Sequence, residues 1–235
     1  MIVTQDIKLF LGKEKPKLTV DNLELTSGLW ALVGRNGAGK STFLTALSGV
    51  NPNFEGEFLI NSKPQKSISS QQMAKNVAVV FSKTEVFGKH TALDILHLGR
   101  IPYQGLFSKV TKLDELKVTE IVELLHLESL IHKKFSVLSD GEKQLVMIGR
   151  ALVQDTKIIL LDEPTAFLDV VNRKKIVNTL ATLSKEKLII FSTHNIDLIE
   201  QFCDGILIIH YNKLNLVSEK LEFNNQLEIV FENEI

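Results

Sequence analysis

The 235-residue chain holds one cysteine, Cys203, so no internal disulfide forms and a reducing compartment fits. Its neighbours Gln201, Phe202 and Asp204 suit a small buried hydrophobe better than a reactive thiol. Arginine is also scarce. Of 27 basic residues, only Arg35, Arg100, Arg150 and Arg173 carry the rigid, always-charged fork that lysine lacks. Each therefore asks for a reason, although Arg173 reads as readily as a surface residue of a lysine-rich chain. An excess of one charge is missing: 27 basic against 28 acidic residues leave a net charge of -1. A dedicated nucleic-acid binder carries a basic surplus, so none is expected here. No apolar run approaches the roughly 18 residues that cross a bilayer. The start, Met1 to Asp6, lacks the basic and apolar regions of a signal peptide. Membrane work would need an anchor from another chain. Repeats and low-complexity linkers are absent. With 44% hydrophobic and 23% charged residues, disorder, collagen-like repeats and a disulfide scaffold are excluded.

The apolar residues are patterned. Ile7, Leu9, Leu18, Val20, Leu23 and Leu25 alternate loosely, which predicts short antiparallel strands, with another over Gly56 to Asn61. Nearly continuous apolar runs follow at Leu29 to Val33, Val77 to Phe81, Ile158 to Leu161, Leu188 to Phe191 and Ile206 to Ile209. Such runs suit parallel strands buried on both faces. Between them, residues 114–131 are predicted helical with Leu116, Ile121, Leu124, Leu125 and Leu127 mostly on one face. Residues 142–153 do the same with Leu145, Ile148, Ala151 and Leu152. The alternation predicts an α/β fold. The expected division is a sheet core over 1–83 and 156–220, a helical insertion over 84–155, and a tail over 221–235.

Gly34-Arg35-Asn36-Gly37-Ala38-Gly39-Lys40-Ser41-Thr42 matches the phosphate-loop pattern G-x-x-x-x-G-K-[ST]. It follows an apolar strand and precedes a helical run from Thr42 to Leu47, the context such a loop needs. Its glycines let backbone N–H groups ring an anion, and the helix N-terminus adds partial positive charge. Lys40 is expected to reach the β- and γ-phosphates, and Ser41 to ligate Mg²⁺. The run Ile158 to Leu161 ends in Asp162-Glu163-Pro164. Ligands of open α/β sheets bind at the carboxyl ends of strands, so both motifs belong on one edge. Asp162 is placed to hold Mg²⁺, and Glu163 to polarise the attacking water. Ser192-Thr193-His194 closes a third buried strand, which puts His194 near the γ-phosphate. Leu138-Ser139-Asp140-Gly141-Glu142 opens the helix over 142–153. Ser139 and Glu142 form a capping box. A free Ser139 hydroxyl beside Gly141 would also make this end an anion site, one that serves the nucleotide of a partner chain.

In this order, with Phe167-Leu168-Asp169 after the carboxylates, the motifs resemble the ATPase subunit of an ABC transporter, from about residue 5 to 217. The resemblance implies a P-loop NTPase parallel-sheet core with an N-terminal antiparallel β subdomain and an inserted α-helical subdomain. It implies a head-to-tail homodimer with two ATP molecules between the chains, each touching the phosphate loop of one and Ser139 and Gly141 of the other. Asp169 matches the family's D-loop, which couples the two sites. Leu98-Gly99-Arg100-Ile101-Pro102-Tyr103 resembles a segment of importers for iron chelates, haem and vitamin B12; read plainly, its Gly and Pro end a helix. That branch implies ATP hydrolysis powering uptake through membrane permease subunits, indirectly with a substrate-binding protein. The cassette would sit peripherally on the cytoplasmic face of the inner membrane. Three features depart from the family. Ser82 stands where it usually has Gln; its hydroxyl is a candidate Mg²⁺ ligand, and coupling there would use a water or Glu85. Asp140 replaces the signature's first glycine and must point away from phosphate. The aromatic that stacks on adenine is not evident; Phe10 is the nearest candidate, with Leu11 beside it. A different transporter class, a soluble ATPase of repair or translation and a poorly hydrolysing cassette are the rivals. The acidic tail, with Leu227, Ile229 and Phe231 interleaved, is expected to add an edge strand.

Overall fold

The computed structural model describes residues 1–10, 16–51, 53–82, 89–104 and 110–231. The first strands are β1 (Ile2–Phe10), β2 (Pro16–Val20), β3 (Leu23–Leu25) and β4 (Gly28–Gly34), followed by α1 (Lys40–Leu47). Then come β5 (Phe54–Ile60), β6 (Lys63–Pro64), α2 (Ser70–Asn76) and β7 (Val77–Val80). Among the described residues, three α-helices lie between β7 and the next strand: α3 (Ala92–Leu98), α4 (Lys112–Leu124) and α5 (Asp140–Val153). The rest is β8 (Ile158–Leu161), α6 (Val170–Leu183), β9 (Leu188–Ser192), α7 (Ile196–Phe202), β10 (Gly205–His210), β11 (Lys213–Val217) and α8 (Phe223–Phe231).

One sheet runs β6-β5-β1-β2-β11-β10-β4-β9-β8-β7, with β3 paired to β1. From β10 to β7 all pairings are parallel; from β6 to β2 they are antiparallel. The apolar runs of the sequence become the parallel half because both of its faces are covered. Successive residues alternate between them: Ile158 and Leu160 belong to the same buried cluster as Phe43, Leu44 and Leu47 of α1, while Ile159 and Leu161 belong to the cluster that holds Ile148 of α5 and Val177 of α6. All four β8 side chains are buried. At about 1.5–3 kcal/mol per buried aliphatic side chain, that register is firmly specified.

Two expectations are corrected. The helix predicted over 114–131 ends at Leu124, and His126 turns the chain with φ 54°. Its buried stripe is Asp114, Val118, Ile121 and Val122, spaced by four, three and one, so Leu116 lies off the stripe and is 66% exposed. The tail forms α8, preceded by a short 3₁₀ turn, and not an edge strand. The physical reason is that β11 is interior, paired to β10 on one side and β2 on the other, and offers no free edge. A helix satisfies its backbone internally. It drops Phe223 and Leu227, one turn apart, into the core. Glu232 and Glu234 lie outside the described residues.

Candidate functional site

Parallel strands bring their carboxyl ends to one edge, and four of them end in polar residues there: β4 in the phosphate loop, β8 in Asp162, β9 in Ser192 and β7 two residues before Ser82. The loop from Gly34 to Lys40 turns tightly, with Ala38 N–H donating to Arg35 O at 3.0 Å. Gly37 and Gly39 take φ 75° and 115°, left-handed values that a side chain would resist. Arg35, Asn36 and Gly37 are exposed at the rim, Ala38 is half-buried, and Gly39 is buried at the start of α1. Thr42 is half-buried one residue beyond Ser41.

Lys40 is folded back over its own loop. Its Nζ donates to Gly34 O at 2.7 Å and stands 3.1 Å from His194 Nε2. Burial pushes its ammonium below the usual lysine range, against the opposing pull of Glu163 and Asp162. His194 Nε2 in turn lies 3.6 Å from Glu163 Oε1. Three residues from three separate strand ends therefore share one spot. Glu163 holds φ 51°, a strained conformation for a residue with a side chain.

Ser192 explains how that strain is held. Its Oγ donates to Asp162 Oδ1 at 2.7 Å and accepts the Glu163 N–H at 2.7 Å. Asp162 Oδ2 takes the hydroxyl of Ser41 at 2.6 Å, and Asp162 N–H donates to Val80 O at 2.8 Å. The buried carboxylate is thus fixed on all sides. Ser192 was legible only as a hydroxyl closing an apolar run, and its role as a hub was not. Arg173, readable from sequence as a surface residue, lines a cleft of about 270 Å³ beside Glu163, Thr165 and His194.

Among the described residues, no group of three or more His, Cys, Asp or Glu side chains converges as an all-protein metal cage would. Ser41 Oγ and Asp162 Oδ2 do converge. Two hard oxygens beside a phosphate loop fit Mg²⁺, which takes few protein ligands and fills its shell with water and phosphate oxygens. Ser82 is half-buried past β7; residues 83–88, with Glu85, lie outside the described residues.

The Ser139 hydroxyl is not free, contrary to expectation. It donates to Glu142 Oε2 at 2.9 Å and accepts Glu142 N–H at 3.3 Å, a closed capping box. The Ser139 N–H also goes to Glu142 Oε2, at 2.8 Å. The box satisfies the α5 terminus in an isolated chain. Asp140 is exposed and pairs with Lys143 at 3.0 Å, one turn along the helix. Gly141 backs onto Phe167: a Cβ there would sit 2.9 Å from Phe167 O. Asp169 caps α6, accepting Asn172 N–H at 2.8 Å. Phe10 ends β1 half-buried, its N–H donating to Asn53 O at 3.4 Å; Leu11 is outside the described residues.

The segment from Leu98 to Tyr103 does more than end α3. Arg100 is 5% exposed; its Nε pairs with Asp114 Oδ1 at 2.8 Å and its Nη1 donates to Val153 O at 2.9 Å. Its guanidinium stacks 4.2 Å from the Tyr103 ring centroid. A Cβ on Gly99 would collide with Arg150 O. The segment clasps α3, α4 and α5 together.

A family profile described as ABC transporter matches residues 19–166. An uncharacterised ABC transporter ATP-binding protein of Methanocaldococcus jannaschii is 35% identical over 82% of this chain and 68% of its own length. A phosphonates import ATP-binding protein of Nostoc sp. is 33% identical over 86% and 84%. A hemin import ATP-binding protein of Thermobifida fusca is 32% identical over 80% and 66%. The fold superposes with a TM-score of 0.80 on the dimeric structure of a bacterial ABC transporter cassette, 26% identical, over 92% and 97% of the two chains.

Proposed function

The chain belongs to the ABC transporter family and is its ATP-hydrolysing, ATP-binding subunit; from that premise we propose that it powers import of an iron chelate, haem or vitamin B12 through a membrane permease. The observation that carries the catalytic reading is the meeting of Lys40, His194 and Glu163 beside the Ser41–Asp162 pair. The amides from Gly34 to Thr42 cradle the phosphates, and Lys40 offsets charge on the γ-phosphoryl group. His194 donates to that group. Glu163 orients a water for in-line attack and takes its proton as the bond to the ADP oxygen breaks. Ser41 and Asp162 hold Mg²⁺, with Ser82 a third candidate; when bound, the ion supplies positive charge against the charge developing on the leaving oxygen. Phe10 remains the candidate beneath the adenine.

Two chains pair head to tail, as a cassette relative of 26% identity is described as dimeric. Each lends Ser139 and Gly141 to the other's ATP, and the Ser139–Glu142 box opens to release the hydroxyl toward phosphate. Helices α3 to α5 form the subdomain that passes the motion to permease subunits at the cytoplasmic face of the membrane. The helical insertion over 84–155 and the core over 1–83 and 156–220 are the units of this reading. A binding protein delivers the cargo to the permease.

Import of iron chelates is supported by the Leu98 to Tyr103 segment and by a hemin import relative; a second reading, a transporter of another class that carries phosphonate, is favoured by a phosphonates import relative of similar identity. Disrupting the gene separates them. Loss of growth on haem or a ferric chelate as sole iron source, with phosphonate use intact, supports the first; the converse supports the second.

A further inference from the structure

Between β8 and α6 the chain crosses from Glu163 to Asp169 in two tight turns, closed by Ala166 N–H to Glu163 O and Leu168 N–H to Thr165 O, each 3.2 Å. At its start, Ser192 pins Glu163. Near its end, two consecutive carbonyls are approached from different directions. Phe167 O faces Gly141 on the signature helix α5, so close that only a glycine fits. Leu168 O accepts from Arg173 Nη2 at 3.0 Å. The Leu168 side chain between them is buried.

The arginine faces both ways. Its backbone N–H continues α6 by donating to Asp169 O at 2.8 Å, while its side chain returns to line the cleft that holds Glu163, His194 and Asn195. Its Nε is buried with no hydrogen-bond partner among the described residues. A buried unpaired donor costs about 1–3 kcal/mol, and a surface arginine would avoid that cost by turning into water.

We infer that Arg173 is a positioning residue: by gripping Leu168 O it closes a rigid link between the signature end of α5 and Glu163 of the same chain. Gly141 packs so closely on Phe167 O that a shift of the start of α5 toward it would press on that carbonyl, and the two tight turns would carry the displacement to Glu163. With Arg173 in place the segment moves as a unit; without it the far end yields and the motion is lost before it reaches the carboxylate. The inference rests on the nucleotide-sandwich reading above, in which the partner's ATP docks on Ser139 and Gly141. That docking would then adjust the docking chain's own Glu163, and each site would report its occupancy to the other.

The test uses the purified full chain and its R173A and R173K variants. Hydrolysis is measured against ATP concentration, with binding of a non-hydrolysable ATP analogue and thermal unfolding alongside. For R173A the expected result is a kcat lowered about tenfold or more, since misplacing a catalytic group by an ångström costs that much. Analogue affinity and Tm stay near the parent's, and the Hill coefficient falls toward one. R173K recovers part of kcat, because an ammonium still donates to Leu168 O, though without the planar fork. Unchanged kcat and Hill coefficient in R173A overturn the inference. So does a parallel loss of kcat, affinity and Tm that lysine does not relieve. If R173A does not fold, R173K decides: reduced kcat at the parent's Tm supports the link, and parental kinetics refute it. A parent that fails to hydrolyse ATP overturns the cassette reading and this inference with it, whereas a parent that hydrolyses and an R173A variant that matches it overturn the inference alone.

Discussion

At the scale of single residues, the site is held by hydroxyls as much as by charges. Ser192 serves Asp162 and Glu163 at once, so Ser192→Ala leaves a buried carboxylate oxygen and a strained N–H without a partner. Removing such a shared partner costs about 1–3 kcal/mol for each group stranded. The expected outcome is a kcat at least tenfold lower (the 1.4 kcal/mol equivalent) with ATP binding retained, measured by steady-state hydrolysis. Lys40→Ala removes the cation proposed to face the phosphates, and hydrolysis should fall by about 10² or more. Cys203 behaves oppositely. Burial pushes its thiol up to about 12, with Asp204 adding and Lys220 opposing. At pH 8 it is about one part in ten thousand thiolate, so a disulfide-exchange reagent should leave it untouched until the chain unfolds. Rapid labelling of native protein would contradict its place in the core. The phosphate loop and both carboxylates were legible because phosphate and metal chemistry restrict residue type at fixed spacing. Arg173 and Ser192 were not, because their roles depend on partners 5 and 29–30 residues away in sequence.

At the scale of elements, burial on both faces made the parallel strands readable: a continuous apolar run has no other economical home. The tail misled because a period-two pattern in Leu227, Ile229 and Phe231 is also compatible with a short helix; the preceding strand β11 is paired on both sides, and that is not written locally. The Arg100–Asp114 clasp was likewise invisible, since it joins the residues after α3 to the first turn of α4. Burial alone would raise Asp114, but hydrogen bonds from Arg100 and Thr111 outweigh it and hold the carboxyl below the usual range. A carboxylate depressed on folding adds stability above its unfolded value of 3.8, and that contribution is lost as pH falls through the lower folded value. Asp114→Ala strands a buried guanidinium and should cost about 3–5 kcal/mol. Arg100→Met paired with Asp114→Leu should cost less than either single change. Denaturant unfolding at pH 7 checks the order, and the acid slope of the parent, shallower in Asp114→Asn, checks the sign.

At the scale of the whole molecule, one sheet edge gathers the phosphate loop, the two carboxylates and His194, while the signature serine stands at the start of a separate helix with its hydroxyl turned inward to Glu142. A chain alone thus satisfies its own groups. The head-to-tail pairing is the central claim, and Glu163→Gln tests it most directly, because it keeps the proposed nucleotide site and removes the proposed base. Light scattering of that variant with ATP and Mg²⁺ should give twice the mass of one chain, falling back to one when ATP is withheld or when Ser139→Arg is added. A variant that stays at the mass of a single chain with ATP saturating its phosphate loop would contradict the account.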